Sequence, residues 1–178
     1  MKTPGRLTVA LEQTDSALGD RDRTLTHHRD WVGRAVEAGA DLVVFPELSL
    51  TGYFLKDLVP EMAMTLDGLA IRELYALSTE VDVVLGTVIE DPDHRYFNAS
   101  LYLSEGELVH LHRKVYLPTY GMFDEQRYFA SGDRFRSFKT AYGRVGMLDC
   151  EDVWHLSSAY NLGLQAVDMI FCPSASPG

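Results

Sequence analysis

The sequence predicts an α/β fold in which helices cover a mixed sheet. Three observations point there. Both ends of the chain alternate strand and helix patterns, and the middle is rich in hairpin signals. Two short runs, residues 41–45 (DLVVF) and 81–89 (VDVVLGTVI), are apolar almost throughout. Such runs suit strands buried on both faces, which need a layer above and a layer below.

The elements follow in order. Residues 7–11 predict a first strand. Residues 20–38 predict a helix, because Leu25, Trp31, Val32, Ala35 and Val36 recur near helical spacing, and Gly39 suits its end. The strand at 41–45 ends at Pro46, which cannot donate to a sheet ladder. A loop with Gly52, Tyr53 and Phe54 leads to a second helix at 69–79, then to the strand at 81–89. Residues 98–103 and 108–112 read as a hairpin around Ser104-Glu105-Gly106-Glu107. A long loop spans 114–133. Two strands, 135–140 and 145–148, turn at Tyr142-Gly143; a helix at 157–165 and a strand at 167–172 complete the pattern. No repeat or low-complexity linker divides it, so residues 1–178 predict a single domain. The closing PSASPG follows directly on an apolar strand and reads as a loop that feeds another element, the mark of an amino-terminal portion.

Hydrophobic residues make up 46% and charged residues 24%, ordinary for a globular protein with a sizeable core. The formal net charge is −10 with no Lys/Arg cluster, which excludes a nucleic-acid partner as the expectation. Cys150 and Cys172 stand far apart, forming neither a disulfide framework nor a zinc pattern. Free thiols fit a reducing compartment. The start, MKTPGRLTVALEQ, has no apolar signal core, and no run is long enough to span a bilayer. A cytoplasmic protein without membrane contact is expected.

Three segments place reactive side chains at strand ends. Glu47 follows the strand at 41–45, where a sheet stops and a cleft can begin. Taken alone it reads as a solvated loop glutamate, much the commoner case. Lys114 closes the second hairpin strand and reads alone as a surface lysine. Cys150 stands where an apolar strand turns polar and then helical, a place where N–H groups and cations favour thiolate; alone it reads as a structural cysteine. Together they offer a base, a cation and a thiol. Attack on an amide carbon needs a nucleophile, a proton carrier and positive charge at the developing oxyanion.

FPELSLTGY (45–53), HRKVYLP (112–118) and DCEDVWH (149–155) stand in the order and context of the carbon–nitrogen hydrolase (nitrilase) superfamily. The sequence resembles that family over nearly its whole length. The resemblance implies a four-layer α-β-β-α sandwich, usually doubled by dimerisation, and hence a homo-oligomer, dimer or higher. It implies a triad of Glu47, Lys114 and Cys150. Glu125 matches a second glutamate that positions substrate or lysine, and the oxyanion hole would use Lys114 and the backbone N–H of Glu151. Neither metal nor organic cofactor is implied. KVYLPTYGMFDEQRYFASGD, CEDVWH and SASP are most similar to the glutaminase domains of glutamine-dependent NAD synthetases. There the counterparts of Tyr120, Phe123, Glu151 and Ser176 contact glutamine. Three departures stand out. The family's hydrolase domain runs past residue 178, the ATP-dependent synthetase domain is absent, and Asp149 occupies a position often apolar in the family. An anion there disfavours a thiolate.

The expected function is therefore an amidohydrolase that cleaves a small carboxamide through a cysteine thioester, releasing ammonia or an amine. Nitrile hydrolysis fits these motifs less well. One alternative is a glutaminase module supplying ammonia to an NAD synthetase; another is a non-catalytic binding or assembly protein that keeps the fold. Of the remaining residues, His27 and His28 read as a surface pair, Cys172 as a structural thiol and His155 as a helix-start residue. Tyr53, Phe54 and Trp154 read as pocket or core aromatics.

Overall fold

The computed structural model describes residues 6–176; residues 1–5 of the start and 177–178 of the closing loop lie outside the described residues. The helices are α1 (Arg21–Glu37), α2 (Val59–Met62), α3 (Leu69–Tyr75) and α4 (Leu156–Leu164). One sheet carries β1 (Val9–Leu11), β2 (Leu42–Val44), β3 (Asp82–Glu90), β4 (Tyr96–Ser104) and β5 (Glu107–Arg113), in that spatial order. The second carries β6 (Ser137–Thr140), β7 (Gly143–Met147) and β8 (Met169–Phe171). β1, β2 and β3 run parallel, because long helical crossovers join them. β3, β4 and β5 are antiparallel. The β4–β5 turn places Glu105 and Gly106 at φ 53° and 76°, the left-handed pair that a two-residue hairpin requires.

Side-chain alternation builds the layers. Val43, Val83, Leu85, Leu101 and Leu103 face one way, onto Leu25, Val32 and Ala35 of α1 and Ile71 and Leu74 of α3. Their chain neighbours Leu42, Val44, Val84 and Tyr102 face the other way, onto Met147, Phe138 and Phe171 of the second sheet. Each fully buried aliphatic side chain contributes roughly 1.5–3 kcal/mol relative to exposure. α4 covers the outer face of the second sheet: a Cβ on Gly146 would stand 2.6 Å from Leu162 Cδ1. The order helix, sheet, sheet, helix is the four-layer sandwich.

Several details depart from the sequence reading. The second helix tightens into a 3-10 turn at Ala76–Ser78, and β7 already begins at Gly143. A 3-10 turn at Lys56–Leu58 and α2 occupy a stretch read as loop; one helical turn is too short to show a period. His28 is not at the surface. It lies on the buried stripe of α1 with Leu25, Val32 and Ala35, and is fully buried. Its Nδ1 meets Thr24 O at 2.8 Å, its Nε2 meets Ser49 Oγ at 3.1 Å, and its ring stacks on Phe45 at 4.1 Å. Burial pushes the imidazole down to about 4, so it is neutral at pH 7. No helix among the described residues is long and apolar enough to cross a membrane.

Candidate active site

Glu47 follows β2 in a tight loop. Leu48 takes φ 49°, Ser49 N–H donates to Pro46 O and Gly52 N–H to Leu48 O. The loop rests on Gly86 of β3, where a Cβ would come within 2.2 Å of Leu48 N. Gly86 N–H also donates to Ser49 Oγ at 3.2 Å, the hydroxyl that His28 reaches from α1. Helix, loop and strand thus fix Glu47 together.

Lys114 continues β5 by donating its N–H to Asn98 O at 2.9 Å, and its carbonyl accepts Gly132 N–H at 2.7 Å. A Cβ on Gly132 would meet Arg113 O at 2.1 Å, so only glycine permits that approach. Val115 and Tyr116 N–H groups donate to Asp152 Oδ1 at 3.1 and 2.8 Å. Cys150 opens a 3-10 turn, Cys150–Trp154, in the left-handed region at φ 42°. That conformation is strained for a residue with a side chain, and such corners concentrate at functional sites. Its N–H donates to Pro173 O at 2.9 Å.

These pieces converge. Lys114 Nζ donates to Glu47 Oε1 and to Glu125 Oε1, each at 2.6 Å. Asn98 Nδ2 donates to Glu47 Oε1 at 2.8 Å and Ala175 N–H to Glu47 Oε2 at 3.1 Å. Tyr53 O–H donates to Glu125 Oε1. The charges of Glu47 and Lys114 both act on the Cys150 thiol, so the sulfur lies close to this pair. Glu47, Lys114 and Glu125 are 2%, 1% and 3% exposed, which removes the reading of Glu47 and Lys114 as solvated surface charges.

Burying ions costs several kcal/mol each, so the geometry must compensate. Burial works against the Lys114 ammonium, but Glu47 and Glu125 outweigh it and raise its pKa. Burial raises Glu125, with Lys114 opposing and Glu47 reinforcing the rise. The Cys150 thiol is pushed up to about 12, first by burial, then by the charge of Glu47, against the pull of Lys114. It therefore rests protonated beside the Glu47 carboxyl group. Moving that proton to Glu47 removes the charge that opposes the thiolate and leaves the Lys114 ammonium beside it.

Tyr120 O–H donates to Glu151 Oε2 at 2.7 Å, and Tyr120 meets Phe123 edge to face at 5.8 Å. Phe123 and Ser176 line a cleft of about 760 Å³ with Glu47, Tyr53 and Phe54. Tyr120, Glu151, Lys114 and Cys150 are not in its wall. Trp154 is exposed rather than in a pocket, and His155 heads α4 with its ring stacked on Tyr116 at 3.6 Å. Cys172 is half-buried near Ser174, 3.9 Å away. Among the described residues, no group of three or more His, Cys, Asp or Glu could hold a metal ion.

Sequence reasoning missed Asn98, Asp152, Ala175, Gly86 and Gly132. Asn98 left a trace, as a polar residue inside a strand that is otherwise buried. Ala175 acts through its backbone and left none.

The family model for carbon–nitrogen hydrolases matches residues 8–177. The glutamine-dependent NAD(+) synthetase of Thermotoga maritima is 35% identical across 97% of this chain and 30% of its own length. Among solved structures, the glutamine-dependent NAD+ synthetase from Acinetobacter baumannii superposes with a TM-score of 0.86 at 29% identity, covering 97% of this chain and 33% of that one. An amidase from Nesterenkonia sp. shares the fold, with a TM-score of 0.84 at 22% identity over 97% of this chain and 66% of that one. The chain spans about 30% of the length of the synthetase relatives it matches.

Proposed function

The chain belongs to the carbon–nitrogen hydrolase family, and from that membership we propose that it hydrolyses a small carboxamide through a thioester on Cys150. One observation carries this reading: the Lys114 ammonium is bonded to the buried Glu47 carboxylate, and the charges of both act on the Cys150 thiol. Glu47 takes the thiol proton as the sulfur attacks the carbonyl carbon. The carbonyl oxygen becomes an oxyanion held by Lys114 Nζ and by the N–H of Glu151. That N–H lies in the first turn of the 3-10 segment, where amides make no intrahelical bond. The tetrahedral adduct collapses, the C–N bond breaks, and Glu47 returns the proton to the departing amine. Water, deprotonated by Glu47, then attacks the thioester and frees the acid and the thiol. Glu125 holds Lys114 in line throughout. Base, cation and nucleophile are all side chains, so the chemistry calls for no metal or cofactor.

Glutamine is the amide we favour, with the chain acting as an ammonia-producing module of a glutamine-dependent NAD synthetase. The named relatives support this, as does the Tyr120–Glu151 pair, which offers a carboxylate and a phenol to an amino-acid head group. The test is ammonia release from glutamine and from simple aliphatic amides, with Cys150→Ala as control. Activity confined to glutamine and abolished in the variant supports the reading; equal activity in both proteins removes it. A non-catalytic protein that keeps the fold would instead alkylate at Cys150 no faster than a free cysteine.

A second copy of the chain is the partner we propose. α4 carries no charged residue, and Trp154, Leu156, Tyr160 and Leu164 are exposed on or beside it. Copies that each carry a net charge of −10 repel except across such a face.

A further inference from the structure

Around Cys150 lies a second buried set of polar groups that the proposed hydrolysis does not use. His112, Asp149, Asp152 and Ser100 are all buried. Asp152 is a fully bonded carboxylate. Its Oδ2 accepts from His112 Nε2 at 2.7 Å and from Asp149 N–H at 3.1 Å, while Oδ1 takes the Val115 and Tyr116 N–H groups. Asp149 is its opposite. The Ser100 hydroxyl donates to Oδ1, the side chain forms a capping box with the Asp152 backbone N–H, and Oδ2 is buried with no hydrogen-bond partner among the described residues.

The groups facing Asp149 are Ser100 from β4, His112 from β5 and Asp152 from the 3-10 turn that Cys150 opens. Glu47 faces it from the loop after β2, and Cys172 from the end of β8. A carboxylate with a bare oxygen in such a place is costly. Protonated on Oδ1, the same side chain donates to Ser100, and Oδ2 becomes a carbonyl oxygen that tolerates burial better. Burial pushes the carboxyl up to about 7, with the help of Glu47 and Asp152 and against the pull of His112 and of the Ser100 hydroxyl.

We infer that Asp149 is a positioning residue that works as a neutral acid anchored to Ser100, and that its ionisation switches off Cys150 by setting a further negative charge beside Glu47. The switch deepens the hydrolase reading above and rests on Cys150 as nucleophile.

The test is ammonia release from glutamine between pH 6 and 9.5 by the full chain, its Asp149→Asn and Asp149→Leu variants and Cys150→Ala. A carbon-13 NMR titration of the aspartate carboxyls in the unmutated chain accompanies it. The expected result is a wild-type rate that falls about tenfold per pH unit above pH 7, absent in a neutral variant. One aspartate should titrate near pH 7. The same alkaline fall in a folded variant, or every aspartate titrating below about pH 5, overturns the inference. Ammonia release by Cys150→Ala would sink the nucleophile, while the NMR titration would still decide the state of Asp149.

Discussion

A Cβ on Gly86 would lie 2.2 Å from the backbone nitrogen of Leu48. Strand β3 and the Glu47 loop touch backbone to backbone, and no side chain can be slipped between them. Gly86→Ala must therefore push the loop and carry Glu47 away from Cys150. The expected cost is about 1–3 kcal/mol of stability, as for other overpacked sites. Misplacing a reacting group by about 1 Å lowers activity on the order of a hundredfold. Urea denaturation and amide hydrolysis measure the two effects, and a variant with both unchanged would show that the loop does not depend on this contact.

Lys114 neutralises two buried carboxylates. Lys114→Met leaves Glu47 and Glu125 facing each other, and breaking a buried pair costs about 3–5 kcal/mol. Burial raises the pKa of Glu125, so acidification protonates it readily and the loss shrinks as pH falls. Denaturation of both proteins at pH 7 and pH 5 checks this; a melting temperature unmoved by the substitution would contradict it.

His28 titrates at about 4 in the fold and near 6.5 in an open chain, where it binds more protons between those values. Its contribution is therefore present above about pH 6.5 and is lost as pH falls through about 4, an effect on the order of 3 kcal/mol. His28→Gln cannot titrate, so the stability gap between wild type and variant should narrow from pH 7 to pH 4. A gap independent of pH would show that the imidazole is not held neutral.

The uncharged α4 face predicts self-association. Leu156→Glu places a charge on the most exposed apolar side chain of that face and should convert a dimer into a monomer on sedimentation, with the circular dichroism spectrum unchanged. A dimer that survives this substitution would place the contact elsewhere.

Much of this was legible in the chain, for a physical reason. Glu47, Lys114 and Cys150 each directly follow a run that the apolar pattern marks as a strand, so their placement at sheet ends could be read. Their convergence could not. It depends on Gly86 and Gly132, whose role is an absence of side chain opposite a distant backbone, and on Ala175, which contributes an amide that any residue but proline carries. His28 was legible in principle, since the stripe Leu25, Val32 and Ala35 includes it, yet a polar residue on a helix face reads first as solvated. The short helix α2 and the 3-10 turns are held by tertiary contacts and span too few residues to show a period.

The central claim is that the sulfur of Cys150 becomes covalently attached to the acyl group of an amide. Acid-quenching the chain during turnover of glutamine and weighing its peptides tests this directly. A glutamyl adduct on the peptide containing Cys150, lost in Cys150→Ala together with ammonia release, is the predicted result. Continued ammonia release from Cys150→Ala, or an acyl adduct on any other residue, would contradict it.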